Sequence, residues 1–319
     1  MKPKSNSRRK FVKGSAALAA GLALPIAMPR RSRADAKPFR IMLNTSTIRE
    51  CKVDGKKLPI DKKVEIAAKA GYDCIEPWIG ELNDYKASGK SLTDLAKLIK
   101  DSGLAVESAI GFAQWIVDDD AKRAKGLDDA KRDMEMVLTI GGKRIAAPPS
   151  GAQDAKSPVL PVEKIADRYK ALAELGEKIG ILPMAEVWGF SPNLKTVNAT
   201  IKAAMLSGHP KACILPDVYH LYKGGSSFDD MKQLTNSNFH VLHVNDYPDI
   251  PKEKIQDKDR VYPGDGIAPM TQLLKDMKAR GYTGLLSLEL FNPEYWKQDP
   301  LLVAKTGIDK VRAVLAKAV

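Results

Sequence analysis

Short apolar runs alternate along the chain with longer amphipathic stretches, and this alternation repeats eight times. The apolar runs are rich in β-branched and aliphatic residues and have the length of buried strands. We predict strands at Phe39–Thr47, Tyr72–Ile79, Ala105–Phe112, Arg144–Ala147, Leu182–Trp188, Ala212–Tyr219, Phe239–Asn245 and Gly284–Phe291. Between and after them, apolar positions recurring every three or four residues predict helices at Asp61–Ala70, Ser91–Ser102, Ala121–Ile140, Val162–Ile179, Asn193–Leu206, Ser227–Leu234, Pro269–Arg280 and Leu301–Ala318.

The alternation predicts an α/β fold with a parallel sheet. Eight strands, each followed by a helix, are typical of a closed (β/α)₈ TIM barrel, and a doubly wound open sheet is the weaker alternative. The 283 residues from Lys37 onward have the length of one such barrel, and no Gly/Ser-rich or Pro-rich linker divides them. We therefore predict a single barrel domain over residues 37–319, with its reactive groups at the C-terminal ends of the strands.

The first 36 residues predict an export signal. Ser7–Lys13 is a twin-arginine motif, the weakly apolar run Gly14–Pro29 follows it, and Ala34–Ala36 offers a small-x-small cleavage site. The apolar run is too short and too weakly apolar for a stable membrane anchor. We therefore expect the twin-arginine (Tat) machinery to export the chain to the periplasm or the medium, with a mature chain that starts at Lys37.

The net charge argues against a nucleic-acid partner. Residues 1–36 carry nine Lys/Arg and one acidic residue, which is +8 of the formal +12, and the remaining chain carries +4. The remaining chain shows no basic stripe of the kind that follows a phosphate backbone. Its three cysteines, Cys51, Cys74 and Cys213, cannot all pair, and folded export starts from a reducing cytoplasm, so we expect buried thiols.

Residues of the metal-ligand type stand at the ends of the last four predicted strands. Glu186 ends the fifth strand, Asp217 the sixth, His243 the seventh and Glu289 the eighth. The period of two along a strand directs these side chains into the barrel, where converging carboxylates cost several kcal/mol each unless a cation neutralises them. Three oxygen donors and one nitrogen predict one divalent metal ion, with Mn²⁺ favoured and Mg²⁺, Co²⁺ or Zn²⁺ as alternatives.

These strand-end motifs resemble those of the xylose isomerase-like barrel superfamily, the group of sugar phosphate isomerases/epimerases that also includes AP endonuclease family 2. The resemblance implies that Glu186, Asp217, His243 and Glu289 bind a single metal, and that Glu186 and Glu289 flank the substrate carbon as proton donor and acceptor. The matching segments span nearly the whole mature chain and are Gly71–Glu76, Asp217–His220, His243–Asp246, Pro263–Ile267 and Ser287–Phe291.

The departures from this superfamily narrow the expected substrate. Its nuclease branch needs a trinuclear zinc site with several more histidines than the four in this chain, so we do not expect DNA repair. An exported enzyme meets mostly unphosphorylated sugars, and no Gly-rich phosphate cradle follows strands seven and eight.

The resemblance implies proton abstraction next to a carbonyl through a metal-bound enediolate. We therefore predict an isomerase or epimerase of an unphosphorylated sugar or keto-sugar. The same first step followed by loss of a β-substituent gives the alternative, a keto-glycoside lyase or dehydratase, or its accessory subunit working with an exported oxidoreductase. A non-catalytic sugar-binding protein is a second alternative.

Further side chains near the strand ends are candidates for substrate binding. His220 follows Asp217 in an Asp-x-x-His spacing, and Glu76 ends the second strand. Arg260 and Asp246 are weaker candidates, and we expect them to contact the metal ligands and hold them in position. Trp188 and Trp115 are aromatic candidates for stacking on sugar C–H groups, together with Trp78, Phe112 and Trp296. Helix capping, salt bridges and rim packing are the structural alternatives for these residues.

The export prediction can be tested with a fusion of residues 1–40 to a reporter that must fold before export. We expect the fusion to reach the periplasm, and we expect Arg8→Lys combined with Arg9→Lys to retain it in the cytoplasm, because the twin-arginine receptor recognises the arginine pair. Cell fractionation is the measurement. Export that persists without both arginines would show that the signal is of another type.

Overall fold

The computed structural model describes residues 39–318, and the predicted export signal lies outside the described residues. The strands are β1 Phe39–Asn44, β2 Lys52–Val53, β3 Lys56–Lys57, β4 Cys74–Glu76, β5 Ala105–Val106, β6 Ala109–Ile110, β7 Arg144–Ala147, β8 Leu182–Glu186, β9 Ile214–Leu215, β10 Val241–Val244 and β11 Gly284–Leu288. The α-helices are α1 Ile60–Ala70, α2 Ile79–Ala87, α3 Leu92–Asp101, α4 Asp120–Thr139, α5 Val162–Ile179, α6 Val197–Leu206, α7 Val218–Gly224, α8 Met270–Ala279, α9 Pro293–Trp296 and α10 Pro300–Lys317.

The parallel strands close into a ring. One run of neighbours has the order β10-β11-β1-β4-β5 and a second has the order β6-β7-β8-β9. Isolated parallel bridges join the two runs. Trp78 pairs with Ile110 on one side, and on the other Ile214 pairs with Phe239 and Asp217 with His243. β5 and β6 together form the third strand of the ring, so the ring has eight strands. The predicted single-domain TIM barrel is therefore confirmed.

The inside of the barrel is filled by apolar residues from all eight strands, with polar residues above them. Met42, Cys74, Met184 and Val241 are members of this fully buried apolar plug. Because side chains on one face of a strand recur every two residues, Asn44, Glu76, Glu186 and His243 come next on the same four strands. The strand pattern thus places a polar layer directly on an apolar floor.

Helix α5 is fixed to the two strands that carry Glu186 and Asp217. The hydroxyl of Tyr169 lies 2.9 Å from the carbonyl oxygens of both Pro183 and Cys213, which share its single proton, and it accepts from the Cys213 amide at 3.1 Å. Tyr169 is fully buried against the outer face of the barrel. This hydroxyl therefore bridges β8 and β9 below the point where their carboxylates emerge.

The structure corrects several predicted elements. The predicted strand Ala212–Tyr219 is shorter, because Asp217 caps a helix instead: its side chain accepts from the His220 amide and α7 begins at Val218. The predicted helix Ser227–Leu234 is a 3₁₀ helix at Phe228–Gln233. Helix α2, the short helix α9 and the β2–β3 hairpin were not predicted.

The three cysteines are buried free thiols, as predicted. Burial raises the pKa of Cys74 and of Cys213 to about 12 and that of Cys51 to about 11, so all three stay protonated at neutral pH. No helix within residues 39–318 is long and apolar enough to cross a bilayer.

A buried carboxylate near the N-terminal end of the barrel connects three of its strands. Glu107, only 5% exposed, accepts from Arg40 at 2.6 Å, from Lys143 at 2.9 Å and from Arg144 at 3.2 Å. Burial by itself would raise the pKa of Glu107, but the hydrogen bonds from Lys143 and Arg40 outweigh it and lower the pKa. Glu107 therefore stays ionised and links the first, third and fourth strands of the barrel.

We predict that Glu107→Gln lowers the free energy of unfolding by about 2 kcal/mol at pH 7, because a buried charge-assisted hydrogen-bond acceptor is lost. A carboxyl with a lowered folded-state pKa stabilises above its unfolded pKa, and this contribution is lost as the pH falls through the folded pKa. The difference between wild type and variant should therefore shrink below about pH 4. Urea unfolding at several pH values measures it.

The matched control is Asp118→Asn. Asp118 also accepts from two cationic side chains, Arg168 at 2.6 Å and Lys164 at 3.0 Å, but its side chain is 49% exposed. Exposed ion pairs contribute only about 0–1 kcal/mol. Equal losses for the two variants would contradict a special role for the buried carboxylate.

Candidate metal centre

Three side chains from three strands converge at the C-terminal end of the barrel. Glu186, His243 and Glu289 each offer a ligand atom, and these atoms lie within 4.8 Å of one another. The Nδ1 atom of His243 lies 3.3 Å from Glu289 Oε2 and 3.8 Å from Glu186 Oε1. All three residues are buried.

The other imidazole nitrogen of His243 faces a different carboxylate. Its Nε2 lies 3.1 Å from Glu76 Oε2, which also accepts from Ser287 Oγ at 2.6 Å and from Asn44 Nδ2 at 3.0 Å. Burial by itself would raise the pKa of Glu76, but His243 outweighs it and the pKa is lowered. Burial by itself would lower the pKa of His243, but the surrounding carboxylates outweigh it and raise the pKa, so the metal-free ring is positively charged. Its Nδ1 faces Glu186, Asp217 and Glu289. An ionised Glu76 would keep the proton on Nε2 when a metal ion replaces the proton on Nδ1.

Asp217 lies beside this set, with its own oxygens already engaged. Its Oδ2 is 3.9 Å from His243 Nδ1 and accepts from Asn245 Nδ2 and Arg260 Nη1, both at 2.9 Å. Its Oδ1 accepts from the His220 amide at 2.8 Å. The structure thus groups three of the four predicted ligands and holds the fourth at the edge of the group.

Arg260 reaches further into the centre than the sequence indicates. Its Nη1 donates to both Asp217 and Glu289 at 2.9 Å, and its Nη2 to Asp257 at 2.5 Å. Only 1% of the residue is exposed. Burial by itself would lower the pKa of Arg260, but Asp217, Asp257 and Glu289 raise it, so the guanidinium is a fixed positive charge among the carboxylates.

Glu186 and Glu289 differ in electrostatic environment. Burial raises the pKa of Glu186 to about 8, and the carboxylates of Glu289 and Asp217 add to the increase while His243 opposes it. For Glu289, burial also acts to raise the pKa, but His243 and Arg260 outweigh it and the pKa is lowered. Glu289 is thus stabilised as an anion, whereas the positive charge of His243 compensates Glu186 only in part.

This arrangement fits a divalent cation. His243 Nδ1 and Nε2 are buried atoms without a well-oriented hydrogen-bond partner, and Nδ1 is surrounded by carboxylate oxygens. Two positive side chains, His243 and Arg260, face the carboxylates of Glu76, Glu186, Asp217 and Glu289. A bound cation would offset the excess negative charge and restore the ionised form of Glu186.

His220 lies next to Arg260 and is buried. Its Nε2 is 3.2 Å from Arg260 Nη2, and because a guanidinium only donates, Nε2 must accept and the ring proton is on Nδ1. Burial lowers the pKa of His220 to about 4, so the ring is neutral. The Nδ1–H is a buried donor with no partner among residues 39–318.

The predicted aromatic residues separate into two groups. Trp188 and Trp78 are half-buried at the strand ends, and Trp78 Nε1 donates to Asn44 Oδ1 at 2.8 Å. Trp115, by contrast, is 1% exposed, donates to the Pro148 carbonyl and packs against Tyr169 of α5. The structure therefore removes Trp115 from the candidate substrate-binding residues, because its chain segment turns the indole into the outer core.

Two amide side chains of the centre were not predicted from the sequence. Asn44 Nδ2 donates to both Glu76 and Glu289 at 3.0 Å. Asn245 donates to Asp217 through Nδ2 and accepts from the Tyr219 amide through Oδ1. Asn44 ends β1 on the same face as Met42, so the rule that found Glu186 also applies to it.

Asp246 supports a loop and does not face the centre. It accepts from the amides of Tyr247 and Ala268 on Oδ1 and from Gly264 on Oδ2. A Cβ at Gly266 would lie 2.3 Å from Asp246 Oδ1, so only glycine fits there. Asp246 thus fixes the segment that follows Arg260.

Comparison with known proteins agrees with the barrel fold. The family model of the xylose isomerase-like TIM barrel matches residues 64–314. A crystal structure of the IolI protein with a bound zinc atom superimposes with a TM-score of 0.79 at 23% identity, covering 88% of this chain and 99% of that one.

Three curated relatives are an isomerase, an epimerase and a dehydratase. The inosose isomerase of Bacillus velezensis is 26% identical over 81% of this chain and 92% of its own, and the fructoselysine 3-epimerase of Escherichia coli O157:H7 is 24% identical over 82% and 95%. The 3-dehydroshikimate dehydratase of Pseudomonas putida is 22% identical over 73% of this chain and 36% of its own. From its strand-end constellation and the extent of the family match, the chain belongs to the xylose isomerase-like TIM barrel family.

Proposed function

We propose that this protein is a metal-dependent isomerase or epimerase of an unphosphorylated sugar or keto-sugar. The observation that carries the proposal is the approach of Glu186 and Glu289, from different strands, to the same nitrogen of His243. Two buried glutamates beside one cation site are suited to removing a proton from a substrate carbon and returning one to it. The isomerase and epimerase relatives support this reaction class.

The ligands of the metal would be Glu186, His243 and Glu289, with Asp217 as the fourth. When bound, a divalent ion polarises the carbonyl and the neighbouring hydroxyl of a sugar and so acidifies the C–H between them. Zinc in the related IolI structure supports a divalent ion. The oxygen-rich donor set supports Mn²⁺ as the preferred ion.

The side chains of the protein would have separate roles in the reaction. Asn44 and Arg260 each donate to one oxygen of Glu289, so they fix the orientation of this carboxylate. The free Nδ1–H of His220 is suited to donating to a substrate oxygen. Glu186 and Glu289 would exchange the proton, and the aromatic side chains at the strand ends would limit access of water.

The segments on either side of Arg260 support an unphosphorylated substrate. A phosphate cradle needs free backbone amides, but the amides of Tyr247, Gly264 and Ala268 all donate to Asp246. These donors are therefore already satisfied within the protein. Export to the periplasm, as the N-terminal motif predicts, would supply the same class of substrate.

A lyase or dehydratase is the second candidate, favoured by the similarity to the dehydratase of P. putida. It would share the proton abstraction and differ only in the later loss of a β-substituent, which an exported oxidoreductase could prepare by forming a keto-glycoside. The two candidates therefore separate by their products and not by their first step.

We predict that the purified protein binds about one equivalent of a divalent metal per chain and that Glu289→Gln weakens binding, because it removes one anionic ligand. Elemental analysis and the melting temperature with and without added Mn²⁺, Co²⁺, Mg²⁺ or Zn²⁺ are the measurements. Glu107→Gln, which changes a buried glutamate at the other end of the barrel, is the control and should leave binding unchanged. Absence of metal and of any thermal shift would remove the proposed centre.

We predict that the metal-loaded enzyme in D₂O introduces deuterium next to the carbonyl of a ketose, an inosose or a 3-keto-glucoside. Glu186→Gln and Glu289→Gln should abolish this exchange because each removes a proton-transfer group. His220→Ala should slow it roughly 100-fold, the loss typical of one positioned hydrogen-bond donor. NMR measures the exchange, and the labelled product identifies an isomerase, an epimerase or a lyase.

The control for these variants is Glu107→Gln, which should exchange at the rate of the wild type. Exchange that survives in both glutamate variants would mean that another group removes the proton. No exchange in any of the three substrates by the metal-loaded wild type would leave a non-catalytic sugar-binding protein as the better description.

A further inference from the structure

Exposed aromatic rings are concentrated at the mouth of the candidate metal centre. Among residues 39–318, Phe112 and Phe190 are the two most exposed aromatic residues, each with 39% of its surface exposed. Each lies shortly after a barrel strand, β6 for Phe112 and β8 for Phe190. Exposed aromatic surface that is not needed for packing is typical of a binding site.

These two rings belong to a continuous row, which we call the aromatic arc and define as Phe291, Trp78, Phe112, Trp188 and Phe190. Neighbouring ring centroids along the arc are 5.9, 5.0, 6.2 and 5.1 Å apart in that order. The spacing is that of rings in mutual contact. The arc is therefore one surface and not a set of isolated side chains.

The arc is attached to the metal centre at several points. Trp78 donates to Asn44, which in turn donates to Glu76 and Glu289. Phe190 lies 5.5 Å from the ring of His220, and Trp188 follows Glu186 by two residues. A substrate held by the buried carboxylates would thus have the arc beside it.

The arc is larger than one monosaccharide requires. A single sugar ring has about the size of one aromatic ring, so a monosaccharide at the carboxylates would leave most of the five rings uncovered, including the exposed Phe112. Phe112 also lines a surface groove of about 1040 Å³ between α2 and α4. Asn83 and Gln114 of the groove offer amide groups that can hydrogen-bond hydroxyls.

We propose that the substrate is a glycoside of at least two sugar rings, with the reacting ring at the metal centre and the linked second ring stacked on Phe112 and Trp188. The apolar face of the second ring would lie on the aromatic side chains, and its hydroxyls would face the groove. This inference rests on the proposed function because it names the substrate class of the same site. The polar groove favours a second sugar over an aromatic substituent.

Binding of methyl glycosides tests the inference separately from catalysis, because their blocked anomeric carbon cannot open to a carbonyl. We expect methyl β-cellobioside to bind roughly tenfold more tightly than methyl β-glucoside, because the second ring buries further apolar surface. Phe112→Ala should abolish this difference, and Phe112→Tyr, which keeps the ring, should preserve it. Calorimetry measures the affinities, and quenching of tryptophan fluorescence gives a second readout because Trp78 and Trp188 are part of the arc.

The control variant is Met205→Ala, which removes an apolar side chain with 47% exposure at the end of α6 and should not change the ratio. If methyl β-cellobioside binds no better than methyl β-glucoside, including the case in which neither binds, the inference is wrong. Tighter binding of phenyl β-glucoside than of methyl β-cellobioside would overturn the assignment of a second sugar.

The deuterium exchange distinguishes this failure from failure of the proposed function. Exchange in a ketose, with no preference for methyl β-cellobioside in binding, would leave the isomerase or epimerase and reject the larger substrate. A preference for methyl β-cellobioside that depends on Phe112, with no exchange in any keto-sugar, would keep the glycoside site and reject the reaction.

Discussion

The balance of charge at the C-terminal end of the barrel is the constraint on which the site depends. Glu76, Glu186, Asp217 and Glu289 are all buried there, and an uncompensated carboxylate in such a place costs several kcal/mol. Arg260 compensates Asp217 and Glu289 directly, and His243 lies between Glu76 and the other carboxylates. Glu186 has the weakest compensation, which is where a divalent cation would contribute most.

The apolar plug and the amide side chains make this charge density compatible with a stable fold. The apolar plug, which includes Met42, Cys74, Met184 and Val241, lies directly below the carboxylates and keeps them at one depth in the barrel. Asn44, whose side chain donates to two carboxylates and accepts from Trp78, ties the polar layer to the rim. The orientation of the carboxylates and the position of the aromatic arc therefore depend on each other.

The opposite end of the barrel shows how the chain separates stability from chemistry. Glu107 is also a buried carboxylate, but it has three cationic partners and its charge is fully compensated within the protein. Glu186 has no such set of partners. The difference agrees with the general division of a TIM barrel, in which reactive groups lie at the C-terminal ends of the strands.

The sequence by itself determined the features that follow from local periodicity. The alternation of strands and helices predicted the barrel, and the period of two along each strand predicted that Glu186, His243 and Glu289 point inward at similar depth. These predictions succeed because the backbone fixes the direction of a side chain within a strand, whatever the rest of the fold does.

The tertiary structure alone decided which distant groups meet and where loops direct their side chains. Asn44 and Glu289 are 245 positions apart, and Arg260 reaches the carboxylates from an irregular segment that Asp246 holds in place. Trp115 turns into the outer core, and Asp217 starts a helix where the pattern predicts a strand. Side-chain directions in loops depend on hydrogen bonds between segments far apart in the chain, which no local period encodes.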